Sequence, residues 1–345
     1  MLDTLEEPVD GRLLQHLLSA PVGDGGQWDM VVNLVEKYGL VPQAVYEDSF
    51  NAKASARVNW LITVQLREAA LKLRELAGKE GTQMAVASHK AKVMQAVYGI
   101  LTLSLGAPPK PTDTFTWTYT DKESKLHTLT TTPLAFYKDN VEAVSLLDTI
   151  TRPLSSAPSG IANRISLVND PRHPYLRLLH VSRLGNIHGA RGVNYINVSM
   201  PTLKAAALAS IKASNPVFFG CDVGKFSDGQ KGIMDTALFD YELGFNVQLG
   251  MGKKERIITG ESQMTHAMVL SGAHVEGEET KRWRVENSWG DARGDKGYFV
   301  MSDAWMDEYT YQAVVEREFV NKEVLDVLNQ EPIALPVWDP MGALA

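Results

Sequence analysis

The sequence predicts an α+β protein in which a helix-rich part comes first and a strand-rich part follows. Two observations carry this. Apolar residues recur at three- and four-residue spacing as far as Leu105, and beyond Pro216 short β-branched and aromatic runs alternate with turn residues.

Taken in order, Asp24-Gly25-Gly26-Gln27 has the acid-and-glutamine spacing of a capping box. Trp28, Val31, Val32, Val35 and Tyr38 then recur at helical spacing until Gly39 ends the run. A longer helix is predicted over 59–77, with Trp60, Leu61, Val64 and Leu71 near one face. Another covers roughly 84–105, striped by Val86, Val93, Val97 and Leu101 and stopped by Gly106-Ala107-Pro108-Pro109. The period then changes. Phe115, Trp117 and Tyr119 alternate with Thr114, Thr116 and Thr118, which is the pattern of a strand with one apolar face. Thr132-Pro133 suits the cap and first turn of a helix running towards Val141, and Arg152 to Gly160 reads as a loop. Strands are predicted over 216–221, 266–273, 281–288, 297–301 and 310–317, joined by hairpin-like connections into an antiparallel sheet or partly closed barrel. By segment, 1–110 is helical and carries the Gly-Gly pair, and 111–215 is mixed. Residues 216–330 are strand-rich, and 331–345 form an extended arm.

Hydrophobic residues make up 44% and charged residues 22%, the balance of a folded globular chain rather than a disordered one. The formal net charge of −7 does not favour nucleic acid or an anionic membrane as a partner, although a local basic patch stays open. Cys221 is the sole cysteine, so no disulfide can form within the chain, and the cytosol is the expected compartment. There is no signal-like or membrane-spanning apolar run. No phosphate loop, zinc-type cysteine pairing or H-E-x-x-H is present, so no cofactor or metal is expected.

The candidate chemistry sits late in the chain. His266 opens an apolar strand, and Asn287 follows in W-R-V-E-N-S-W-G after the turn-like E-G-E-E-T-K. Two neighbouring strands joined by that turn could bring them together. An Asn carbonyl accepting from one ring nitrogen fixes the tautomer and leaves the other nitrogen to exchange a proton. Read without further pattern, His266 could equally be a satisfied core residue and Asn287 a turn cap.

The segments V-E-N-S-W-G, G-D-K-G-Y-F and T-H-A-M resemble the asparagine and histidine segments of papain-like cysteine peptidases. D-G-G-Q-W-D-M, L-V-N-D-P-R, F-G-C-D-V-G-K and the ending E-P-I-A-L-P-V-W-D-P-M-G-A-L-A narrow the resemblance to the bleomycin hydrolase family, over essentially the whole chain. The resemblance implies a papain-like fold and a cytosolic aminopeptidase that forms a thiolate acyl-enzyme on peptides with a free amino terminus. His266 would be the general base and Asn287 its orienter, with Trp289 covering the pair. Gly25 and Gly26 would line the substrate cleft. The arm would lie in that cleft, its Ala345 carboxylate near the substrate amine; read without the resemblance, the tail could pack on a neighbouring subunit. The family also implies a homohexamer and, for some members, nucleic-acid binding.

The family's nucleophile lies in a glutamine-then-cysteine-tryptophan segment upstream of the region matching Asp24, and nothing here corresponds to it. The expectation is a chain lacking roughly the first hundred residues of a family member, a stretch of domain scale. Cys221, aligned with a non-nucleophilic position, is expected to be a small buried hydrophobe. With the nucleophile and its oxyanion-hole glutamine both absent, the chain is predicted inactive alone. It is also predicted to fold poorly or expose an apolar groove. The alternative is a non-catalytic binding or regulatory subunit on the same scaffold.

Overall fold

A computed structural model of the chain describes residues 1–23, 25–79, 82–142 and 160–343. Asp24 of the predicted capping box, residues 152–159 of the predicted loop, and Ala345 lie outside the described residues. Packing divides the chain into two units: Met1–Asp24 with Leu34–Ala143, and Gly25–Asn33 with Val144–Ala345.

The first unit is built on helices α1 (Arg12–Ser19), the later half of α2 (Trp28–Tyr38), α3 (Ala56–Ala77) and α4 (Gln83–Leu105). α2 stops where Gly39 takes φ +76°, and a Cβ there would fall 2.2 Å from the Pro133 backbone, so glycine is required. α3 packs on α4, whose stripe is the predicted one, with Val97 buried and Val86, Val93 and Leu101 half-buried. The predicted face of α3 is a correction. Trp60 and Leu71 are exposed, Leu61 is largely exposed, and the buried positions are Ile62, Ala69 and Ala70. α3 carries apolar residues around much of its circumference, and the small alanines permit the close approach to a neighbour.

Arginines on α3 satisfy carbonyls that helix geometry leaves open. Arg67 donates to Leu18 and Ser19 at the end of α1, at 2.8 Å each. The hairpin β1 (Phe115–Thr120) and β2 (Leu126–Thr131) pairs Trp117 with Leu129 and Tyr119 with His127. Its threonine face is exposed and its aromatic face half-buried. Thr132 caps α5 (Pro133–Phe136), its hydroxyl accepting from the Ala135 amide, and the chain continues as a π-helical turn over Tyr137–Glu142.

The second unit is an eleven-stranded sheet. Its strands are β3 (Arg164–Val168), β4 (Arg177–Val181), β5 (Asn194–Asn197), β6 (Val217–Cys221), β7 (Ser227–Asp228), β8 (Ile233–Met234), β9 (His266–Glu276), β10 (Glu279–Glu286), β11 (Tyr298–Ser302), β12 (Thr310–Glu316) and β13 (Ile333–Leu335). They lie in the order β13-β4-β5-β3-β12-β6-β9-β10-β11-β8-β7. The five predicted strands are β6 and β9 to β12, and they form one antiparallel block. The pairs β3·β5, β4·β13 and β8·β11 are parallel.

Alternate residues feed two core clusters. Ile165, Leu167, Phe219, Met268 and Ala313 belong to the first, and Val168, Leu179, Tyr195 and Tyr311 to the second. The helix α6 (Met200–Lys212), capped by Ser199, brings Leu203, Ala206 and Ala207 into the first cluster. Short helices α7 (Tyr241–Phe245), α8 (Lys253–Thr259), α9 (Asp303–Tyr309) and α10 (Lys322–Asp326) complete the unit. Among the described residues, no helix is long and apolar enough to cross a membrane.

Candidate active site

β9 and β10 form a hairpin that turns at Gly277, where φ is +62°. His266 is the first residue of β9 and Asn287 the first after β10. The amide of Asn287 donates to the Gly297 carbonyl at 3.0 Å, which fixes the end of the hairpin against the turn before β11. The Asn287 side-chain oxygen accepts from the Ser288 amide at 2.8 Å and lies 2.9 Å from His266 Nε2. A backbone N–H can only donate, so the Ser288 contact identifies that atom as the oxygen. An amide oxygen can only accept, so Nε2 carries the proton and Nδ1 keeps its lone pair.

Trp289 stacks on the imidazole, with ring centroids 4.9 Å apart at 29°, and meets Phe299 edge-on at 6.0 Å. Gly229 leaves room for it: a Cβ there would stand 3.3 Å from the indole. Asn287 is buried and Trp289 is 44% exposed, so the indole shields one face of the pair and turns its other side to solvent. A shielded N–H···O bond is stronger than a wet one, and this holds the ring in a single orientation.

Cys221 ends β6 directly opposite His266 in the strand register. Its side chain is fully buried among Phe219, Met268 and their neighbours, and makes no hydrogen bond to the imidazole. Burial, with the Asp222 charge adding to it, pushes the thiol well above its ordinary range. The arrangement offers a ring nitrogen able to accept a proton, held in place by an amide oxygen, with the Cys221 thiol buried apart from it.

Gly25 and Gly26 lead into α2, and a Cβ at Gly26 would meet the Met30 sulfur at 3.8 Å. Gln27 begins α2 with its backbone carbonyl, which accepts from the Met30 and Val31 amides. α2 starts at Trp28, directly after Gln27, rather than directly after Asp24 as a capping box there predicts. The Gln27 Nε2 donates to the Ala343 carbonyl at 2.8 Å. Three further contacts hold the arm. β13 pairs with β4, Tyr195 donates to the Met341 carbonyl at 3.1 Å, and Arg172 bridges Asp170 at 2.8 Å and Asp339 at 2.6 Å. Nothing in the sequence marks Arg172, Tyr195 or Asp339 individually, and its spacing gives Gln27 only a capping role. The signal was present in the segments L-V-N-D-P-R and W-D-P-M-G, which place a basic residue and an acidic one within motifs far apart in the chain.

An eleven-stranded α+β unit carrying a His–Asn pair under a tryptophan, beside a tethered C-terminal arm, defines a protein of the papain-like class. The Peptidase C1-like family matches residues 1–342. Mouse bleomycin hydrolase is 44% identical over 348 residues, covering 99% of this chain and 72% of its own length. Aminopeptidase C of Listeria monocytogenes is 41% identical, covering 100% of this chain and 74% of its own. The crystal structure of PepW from Lactobacillus rhamnosis superposes with a TM-score of 0.91 at 38% identity, covering 100% of this chain and 74% of that one. The chain belongs to the bleomycin hydrolase and aminopeptidase C branch of the Peptidase C1-like family.

Proposed function

We propose that these 345 residues supply the base half of a cysteine-type aminopeptidase acting on peptides with a free amino terminus. The observation that carries the proposal is the His266 Nε2 to Asn287 Oδ1 bond of 2.9 Å beneath Trp289. It leaves Nδ1 as the proton acceptor that a thiol nucleophile requires. In such a reaction the imidazole takes the thiol proton, the thiolate attacks the amide carbonyl, and the imidazolium returns the proton to the leaving amine. Water then releases the acyl group. Gly25 and Gly26 line the substrate site in this reading. The arm, held at Ala343 by Gln27, restricts the space open to a substrate and so selects a chain end over a chain interior, the role sought for Ala345 lying outside the described residues.

The nucleophile of this reaction is not among the 345 residues, since the only thiol is sealed in the core. The chain by itself therefore has no turnover. An aminoacyl-anilide assay on the purified 345-residue protein, with and without reducing agent, tests this. The expected rate equals the blank for both the unmodified chain and C221A. Thiol-dependent turnover that C221A abolishes would reassign the nucleophile to Cys221. The buried thiol also favours a second reading for the chain alone, in which it binds peptides or full-length relatives without cleaving them. Titration calorimetry with an unblocked peptide, and size-exclusion chromatography, distinguish that outcome.

A further inference from the structure

The segment F-G-C-D-V-G-K closes β6 and runs on past it; it holds no residue of the His–Asn pair, yet it touches the approach to His266 through Gly220, Cys221, Asp222 and Lys225. Gly220 accommodates Met264: a Cβ there would stand 2.2 Å from the Met264 sulfur. The Cys221 carbonyl accepts from the Thr265 amide at 2.9 Å. Asp222, itself buried, accepts from the Ser262 hydroxyl at 2.8 Å through Oδ2 and from the Thr265 hydroxyl at 3.2 Å through Oδ1. The Ser262 proton is committed to that carboxylate, so the Tyr311 hydroxyl must donate to Ser262 in turn. Lys225 closes the far end on Glu261 at 2.6 Å.

The five residues 261–265 thus gain five side-chain or backbone ties and one packing contact before the chain reaches His266. Neither a turn nor a helix end requires such a set. A carboxylate buried at this depth is retained only when its oxygens are satisfied, and two of its donors lie on the one segment that aims the imidazole. We propose that Asp222 is a positioning residue for His266. It acts through Thr265 and Ser262 to set the ring's direction, so that Nε2 rather than Nδ1 faces Asn287. The inference rests on the His266–Asn287 reading of the site and deepens it.

The test uses the full 345-residue chain and long-range proton–nitrogen spectra of its histidine rings, which distinguish Nε2–H from Nδ1–H. The H266Q variant assigns the signal. The unmodified chain is expected to show the Nε2–H form of His266. D222A and, independently, the near-isosteric T265V are expected to lower the Nε2–H to Nδ1–H ratio about five-fold, the factor one net hydrogen bond contributes. T265S keeps the hydroxyl and is expected to retain the original ratio. If D222A does not fold, the T265V and T265S pair decides alone. A folded T265V with an unchanged ratio overturns the proposal. N287A separates the two layers: if it lowers the ratio and T265V does not, the positioning role fails while the His–Asn reading stands. If N287A also leaves the ratio unchanged, the underlying reading fails.

Discussion

A thiol attacks only as its thiolate, and a low-dielectric surrounding holds it protonated. Cys221 sits one strand away from His266, close enough in register that proximity alone would nominate it. Burial decides against that. With no exposed surface and its acidity suppressed, Cys221 should not react with Ellman's reagent in the native chain. Reaction is expected only at the rate of opening, rising to a full equivalent in denaturant. Rapid labelling under native conditions would refute this. At the same scale, His266, Asn287 and Trp289 were legible through the resemblance of T-H-A-M and V-E-N-S-W-G to papain-like segments, since spacing alone leaves a core histidine and a turn cap open. The ties of Asp222 were not legible. They join residues some 40 positions apart through hydroxyls that serine and threonine carry everywhere.

Among the elements, α8 depends on a buried cation. Lys253 donates to the carbonyls of Asp307 and Thr310, at 3.0 and 2.6 Å, where α9 ends, and lies over the Tyr311 ring. Burial lowers its ammonium to about 7, with the Glu308 and Asp307 carboxylates opposing the shift. The folded value lies below the unfolded value of ~10.4, so between them the unfolded chain holds the extra proton. Stability should therefore rise with pH across that window, and the gain is lost as pH falls through 7. Urea midpoints measured at intervals from pH 7 to 10 should show a positive slope that K253M removes.

The arm is a second element held by charge. Arg172 serves two carboxylates, and Asp170 has no exposure to water. R172A should cost about 3–5 kcal/mol in urea melts, because it leaves that buried charge unpaired. D339A should instead spare the sheet and loosen the arm. Carboxypeptidase release of the C-terminal residues is expected to quicken about ten-fold, equivalent to ~1.4 kcal/mol of lost docking. Equal release rates would show that Gln27 and Tyr195 hold the arm without Arg172.

Element legibility followed burial. β1 and the five predicted strands of the antiparallel block were visible from their β-branched and aromatic content. β3, β4 and β5 are short and buried on both faces, and β13 is only three residues long, so no alternation marks them. The buried face of α3 does not show in the sequence, because its small alanines are buried where the large Trp60 and Leu71 stay exposed.

Across the whole molecule, the relatives extend the comparison beyond these residues, since the alignment spans 72–74% of their length. The second unit also displays an apolar run: Leu243, Phe245 and Leu249 are 85%, 76% and 64% exposed, with Val247 and Met251 beside them. So many exposed apolar side chains within one short stretch of chain are uncommon. The native chain should enhance anilinonaphthalene sulfonate fluorescence several-fold, as exposed apolar surface does. A triple L243S/F245S/L249S variant should lose most of that signal while keeping its far-ultraviolet dichroism. An unchanged signal would place the dye elsewhere.

The contact of Met264 with Gly220 has a consequence for damage by oxidants. The thioether is 1% exposed and packed with Met30, Tyr195 and Tyr311. Conversion to the sulfoxide would put a polar oxygen among those apolar neighbours, one residue before Thr265. The burial that shields Cys221 shields this thioether too, so an oxidant would reach it only as the chain opens, and the sulfoxide would then hinder reclosure of the segment leading to His266.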